Sequence, residues 1–260
     1  MMQIKDIMTE PVTIDKSERL GHAHDQMEKY NLRRLLVTNN GKLGGIITMR
    51  QIARVLGTRK SLGMPASSLH VAAATLDAVI KVLPEMEVDD AMSLLQKTSV
   101  LVAMDGDKIL GWVRPREVLG AVNIDGKASD AMRYPLFVNP NDRLVHARRM
   151  MLDRDVGRLP VVDCARLVGI LTERDVTRSL RAFRDLNATA SKQHARISNL
   201  LVSDVMTRDV KSIYADMPLD EVKKIILTEN RGGLPVMNQK EELVGMITRR
   251  SLIDYLVRTR

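Results

Sequence analysis

Gly169-Ile170-Leu171-Thr172-Glu173-Arg174-Asp175 decides the fold, because its frame recurs three more times. Gly45-Ile46-Ile47-Thr48, Gly111-Trp112-Val113-Arg114 and Gly245-Met246-Ile247-Thr248 repeat it. Self-similarity at a fixed period marks a repeat architecture. Working outward from each copy gives the same series of elements. In the third copy Phe137-Val138 reads as a strand, 142–153 as a helix, 159–162 and 167–171 as a hairpin, and a second helix opens at Thr172. The first copy follows suit with Val12-Thr13-Ile14, a helix over 18–30, a hairpin turning at Asn39-Asn40-Gly41-Lys42, and a helix from Thr48 that stops at Gly57. Asn and Gly tolerate the positive φ that such a turn demands. The fourth copy runs from Val210 through helix 218–229 and a hairpin over 234–247. The second, more worn copy spans 79–113 and adds a helix after Arg114. Each unit is therefore β-α-β-β-α, and the fold class is α/β (α+β).

Three copies also share a lead motif: Asp6-Ile7-Met8, Asp130-Ala131-Met132 and Asp204-Val205-Met206. From its Met to the glycine of the same copy is 37, 37 and 39 residues. The lead motif, the Gly157-Arg158-Leu159-Pro160-Val161-Val162-Asp163 strand and the Gly169–Asp175 string together resemble the CBS domain (named after cystathionine β-synthase). The resemblance covers nearly the whole chain. It implies that the motifs work in pairs, giving one module over 1–122 (repeats at about 4–57 and 71–120) and another over 123–260 (repeats at about 127–181 and 199–257). Two stretches, 57–70 and 181–198, separate the repeats within each module. The second is long for a loop and could extend the helix before it.

Composition narrows the function. Aromatics make up only 3% of the 260 residues, so the cores must be aliphatic and methionine-rich. The single Cys164 excludes an internal disulfide and fits a reducing compartment. No run approaches the ~20 apolar residues of a membrane helix, and the start carries no signal pattern. A soluble, cytoplasmic protein without membrane partners is expected. Net charge is +8, and residues 141–200 hold 12 Lys and Arg against 7 Asp and Glu. That bias suits anionic partners: nucleotides, nucleic acid or an acidic protein. It suits a solvated surface equally well. No phosphate-cradling glycine loop, catalytic triad or paired catalytic carboxylates stand out, and the five histidines show no metal-ligand spacing. No enzyme, metal or cofactor is expected.

Thr172 and Asp175 admit two readings. A Thr at a helix start with a carboxylate three residues on is a capping box and needs no ligand. The same helix start offers unpaired N–H groups and a positive dipole end to a phosphate, while Asp175 could accept from ribose hydroxyls. The CBS resemblance implies the second reading, with AMP, ADP or ATP as ligand, Gly169 admitting the ligand to the backbone, and Arg174 and Arg158 near its phosphates. It further implies an apolar adenine slot from Pro135, Leu136, Phe137 and Pro160. The other copies match less well. Copy 1 offers Thr48, Gln51 and Arg34. Copy 4 offers Thr248, Arg249, Arg250 and Ser251. Copy 2 has Arg114 and Glu117, where Arg114 could replace the lost Thr with a phosphate ion pair. On this resemblance the protein is a regulatory, non-catalytic adenosine-nucleotide sensor acting through an unidentified effector protein. An S-adenosylmethionine-type ligand, or nucleic-acid binding through 141–200, is the alternative. A four-lobed single chain and a homodimer both fit the sequence.

Overall fold

The computed structural model describes residues 2–58, 64–77, 79–186 and 198–260. The hairpin and the two helices of each copy form where the sequence places them. Each has a hairpin: Arg34–Asn39 with Lys42–Thr48, Leu101–Asp105 with Lys108–Val113, Arg158–Asp163 with Arg166–Thr172, and Gly233–Met237 with Leu243–Thr248. In copies 1, 2 and 4 a short parallel strand flanks the hairpin. In copy 3 the expected strand at Phe137-Val138 shrinks to a single parallel bridge, Val138 to Val161. Every hairpin shifts register at the same place, just after the residue opposite the motif glycine: Val37 opposite Gly45, Ala103 opposite Gly111, Val161 opposite Gly169 and Val236 opposite Gly245.

Local chemistry explains the elements. Helix Met49–Leu56 buries Met49, Ile52, Ala53 and Leu56, a single stripe at helical spacing. The hairpin turn at Asn40 (φ 52°) and Gly41 (φ 78°) is the tight left-handed turn that this pair favours. Copy 3 builds the same turn from Cys164 (φ 46°) and Ala165 (φ 64°), and Cys164 is exposed. Gly57 ends its helix without the left-handed conformation. A Cβ there would lie 2.2 Å from Nη1 of Arg148, so the glycine makes room for that guanidinium.

The chain divides into two compact units, and they differ from the sequential halves 1–122 and 123–260. One comprises Met1–Pro11, Val79–Pro135 and Lys211–Arg260, with copies 2 and 4. The other comprises Val12–Ala78 and Leu136–Val210, with copies 1 and 3. Each has its own aliphatic core. The lead segments explain the crossing. Met8 of copy 1 packs on Gly111 of copy 2, Met132 of copy 3 on Gly245 of copy 4, and Met206 of copy 4 on Gly169 of copy 3. Leu76, from the start of copy 2, lies over Gly45 of copy 1. Copies 1 and 2 thus exchange lead segments, as do copies 3 and 4. In each lead motif the Asp accepts from a backbone N–H three residues back, at 2.8–2.9 Å (Asp6 from Gln3, Asp130 from Lys127, Asp204 from Leu201), and so caps one helical turn. The Met then fills the notch over a glycine in the exchanged partner.

A side chain at these glycines has no room. At Gly169 a Cβ would meet Met206 Sδ at 2.6 Å. At Gly45 (φ +141°) it would meet the Leu76 carbonyl oxygen at 2.4 Å. Overpacking costs about 1–3 kcal/mol, and a thioether swings aside more easily than a backbone carbonyl. Gly45→Ala should therefore lower the urea midpoint more than Gly169→Ala. Equal midpoints would remove the exchanged-segment explanation of the motif.

Of the two intervening stretches, 181–186 continues helix Glu173–Leu186. Residues 187–197, and 59–63 of the earlier stretch, lie outside the described residues.

Candidate functional site

In the unit of copies 1 and 3, strand Arg166–Thr172 delivers Thr172 to the start of helix Glu173–Leu186. Both the Thr172 N–H and hydroxyl donate to Oδ2 of Asp175, at 2.8 and 2.7 Å. The capping box is real, and it uses one carboxylate oxygen. Oδ1 makes no hydrogen bond among the described residues. Burial pushes the Asp175 carboxyl above its usual range, with the Thr172 bonds opposing the shift. A half-buried carboxylate with one uncommitted oxygen is the geometry a pair of vicinal hydroxyls can complete. Arg158 sits directly across the hairpin from Thr172, on the same sheet face, and Arg34 holds the same place opposite Thr48.

The other caps differ in chemistry. Thr48 accepts from the Gln51 N–H at 3.2 Å, with no carboxylate present. Ser251 is buried and its hydroxyl is committed, accepting from the Thr248 N–H at 2.9 Å and donating to the Thr248 carbonyl at 3.0 Å. In copy 2 the Arg114 guanidinium binds Glu117 at 2.5 and 3.1 Å, so it is not positioned as the phosphate ligand that the sequence allowed.

Several expected ligand residues make internal contacts. The notch over Gly169 is filled by Met206, so this glycine makes room for that thioether. Arg174 donates to Asn31 Oδ1 at 2.6 Å and to the Leu32 carbonyl at 3.3 Å, just past the end of helix Leu20–Lys29. Arg50 reaches Asp155, Arg116 reaches Asn230 at 2.5 Å, and Arg250 reaches the Gln96 carbonyl at 2.9 Å. All four arginines lie two residues after a cap, and each closes the C-terminal end of a helix in the other copy of its unit. A cation is favoured there by the helix dipole, and Asn31, Asp155 and Asn230 are the left-handed residues that commonly end helices. Arg249 binds Asn230 within its own copy at 2.8 Å.

Glu173, Arg148 and Arg184 were not singled out by the sequence. Glu173 is buried and receives Arg50 Nε at 2.5 Å, with Arg33 at 3.5 Å. Arg184, also buried, donates to the carbonyls of Leu56 (2.6 Å), Met64 (3.2 Å) and Thr58 (3.4 Å), while Arg148 donates to those of Ala53 and Gly57, both at 3.3 Å. The carbonyls these arginines serve carry no signal in the sequence.

Leu136 is partly buried, Phe137 exposed and Pro160 buried in the unit that holds Thr172, whereas Pro135 closes the other unit. Among the described residues no group of three or more His, Cys, Asp or Glu could hold a metal, and no helix is long and apolar enough to cross a membrane.

His24 lies at the contact of copies 1 and 3. It accepts at Nδ1 from Arg181 at 2.9 Å, and burial foremost, then Arg181, pushes its pKa below 6.5. The folded state thus binds fewer protons than the unfolded state near pH 6. Stability is full above the unfolded pKa of about 6.5 and falls as pH drops through it. Urea midpoints should decline from pH 7.5 to 5.5, and His24→Gln should flatten that decline. An unchanged slope in the variant would assign the decline to other groups.

Four repeats of a β-α-β-β-α unit with capped hairpin exits define a class, and comparison names it. The CBS domain profile matches residues 4–58, 72–124, 128–182 and 202–258, and the chain belongs to the CBS domain family. Uncharacterized protein MJ1225 of Methanocaldococcus jannaschii is 25% identical over 264 residues, 94% of each chain. Its crystal structure, reported as that of a suspected archaeal homolog of g-AMPK, superimposes with a TM-score of 0.86 at 24% identity, covering 98% of this chain and 100% of that one. That likeness establishes the fold. Inosine-5'-monophosphate dehydrogenase of Korarchaeum cryptofilum is 32% identical over 117 residues, 45% of this chain but 21% of the enzyme.

Proposed function

We propose that this protein is a regulatory, non-catalytic sensor of adenosine nucleotides (AMP, ADP or ATP), with output through a separate effector protein. The observation that carries the reading is Asp175. Its carboxylate is half-buried, one oxygen is committed to the Thr172 cap, and the other has no hydrogen bond among the described residues. Ribose hydroxyls suit the second oxygen, and Arg158 across the hairpin suits a phosphate. The pairing of copies 1 with 2 and of 3 with 4 as working modules belongs to the same proposal, and what favours it is the packing of each lead segment, such as Met8 over Gly111 and Met206 over Gly169. The described resemblance of MJ1225 to g-AMPK and the match to a nucleotide-metabolising enzyme point the same way.

The basic segment gives little support to nucleic-acid binding. Arg148, Arg174, Arg178, Arg181 and Arg184 are all directed at copy 1, where they meet Glu28, Asp25 and helix-end carbonyls. Calorimetric titration with AMP, ADP, ATP and S-adenosylmethionine tests the reading. Saturable binding of an adenosine nucleotide is expected. Binding of S-adenosylmethionine alone would transfer the site to that ligand class, and binding of none would leave Thr172 and Asp175 as a helix cap.

A further inference from the structure

The four caps differ most at copy 2, and the difference is a closure. Glu117 is the residue aligned with Asp175, yet both its oxygens are committed. Oε2 accepts from the Arg114 N–H at 2.8 Å and from Arg114 Nε at 3.1 Å, and Oε1 accepts from Arg114 Nη2 at 2.5 Å. The Arg114 guanidinium lies over the Trp112 ring, 4.5 Å from its centroid. Trp112 is itself buried and anchored by its Nε1–H donating to Thr9 Oγ1 at 3.1 Å. Pro115 holds the first helical position and has no N–H to offer an anion. The Glu117 N–H donates to the Arg114 carbonyl at 3.1 Å. An indole, a guanidinium and a carboxylate thus satisfy one another where copy 3 presents a hydroxyl and a half-used carboxylate.

The geometry points to copy 2 as a repeat sealed against nucleotides by an internal Trp112–Arg114–Glu117 clasp, so that the number of ligands bound is set by the other three caps. This inference rests on the reading of Thr172 and Asp175 as nucleotide contacts. A phosphate reaching the copy 2 cap would have to take Arg114 from Glu117, leaving a buried carboxylate beside the incoming anion. Cation–π contact with the indole and the charge-assisted bonds both oppose that exchange.

The test is a gain of binding. Arg114→Thr with Glu117→Asp restores the Thr and Asp of copy 3. Calorimetric titration of the full chain with AMP should then show one more bound nucleotide than the wild type. Trp112 is the single tryptophan of the chain and reports on the same cap without any substitution. Saturating AMP should leave wild-type emission unchanged and should alter it in the double variant. An unchanged stoichiometry in a double variant that still unfolds cooperatively would overturn the closure. So would a wild-type emission change that tracks AMP binding and persists in Asp175→Ala. Failure of the sensor reading looks different: the wild type would bind no nucleotide, and Asp175→Ala would change nothing.

Discussion

Asp175→Ala should weaken adenosine-nucleotide binding by about 10- to 100-fold. Hydrogen bonds to a charged group contribute about 1.5–3 kcal/mol each, and about 1.4 kcal/mol is a factor of ten in affinity. The substitution also removes the acceptor for the Thr172 N–H and hydroxyl, so about 1 kcal/mol of helix stability goes with it. Asp175→Asn separates the two effects, since the amide oxygen can still accept from Thr172 while the charge is gone. Affinity should fall in both variants and stability chiefly in the alanine variant. Undiminished affinity in both, by calorimetry, would make Asp175 a cap and nothing more.

Glu173→Ala should cost about 3 kcal/mol of stability. Removing one member of a buried ion pair typically costs about 3–5 kcal/mol, because its partner is left uncompensated. Glu173 stands between Arg50 and Arg33, and both arginines keep partial access to water, which places the cost at the lower end. Glu173→Gln can still accept one hydrogen bond and should lose less. Chemical denaturation followed by circular dichroism measures both. A loss under about 1 kcal/mol in the alanine variant would mean that the arginines find other acceptors, and the ion-paired contact of copies 1 and 3 would lose its central member.

These two residues, two positions apart, show what the sequence makes legible. The four hairpins, their turns and the caps at Thr48, Thr172 and Thr248 follow from local rules of turn geometry and capping, so the string reads correctly element by element. The Asp of the lead motif and its Met are equally visible, but the partner of the Met is not. Near-equal spacings of 37, 37 and 39 residues to the glycine of the same copy suggest an internal contact, whereas the glycine each Met covers belongs to the exchanged copy. Spacing preserves a repeat; it does not state which repeat completes which. The internal contacts of the arginines are hidden for a related reason. Arg174 and Arg250 follow a cap like phosphate ligands, yet the structure pairs them with backbone carbonyls and an Asn side chain at helix ends and, for Arg174, with Glu28 at 3.2 Å. Glu173 differs from its counterparts Met49, Pro115 and Arg249, and that mismatch within the repeat was the one available sign of its role.

The coupling available to a sensor follows from the order of residues along one helical turn. Glu173 and Arg174 hold copy 1, and Asp175 faces the cap. A ligand shifts a conformational equilibrium only by its differential affinity for the two states, and here the residues that would feel the ligand adjoin those that hold copies 1 and 3 together.

Thermal unfolding of the purified protein with AMP, ADP, ATP, S-adenosylmethionine and GTP, each at about 100 times a micromolar Kd, tests the central claim most directly. Binding to the folded state at that excess adds about 2.7 kcal/mol. The expected result is an upward shift with an adenosine nucleotide that GTP does not match and that Asp175→Ala reduces, to about 0.4–1.4 kcal/mol for a 10- to 100-fold loss of affinity. No shift with any adenosine compound, or a shift that Asp175→Ala leaves intact, would contradict it.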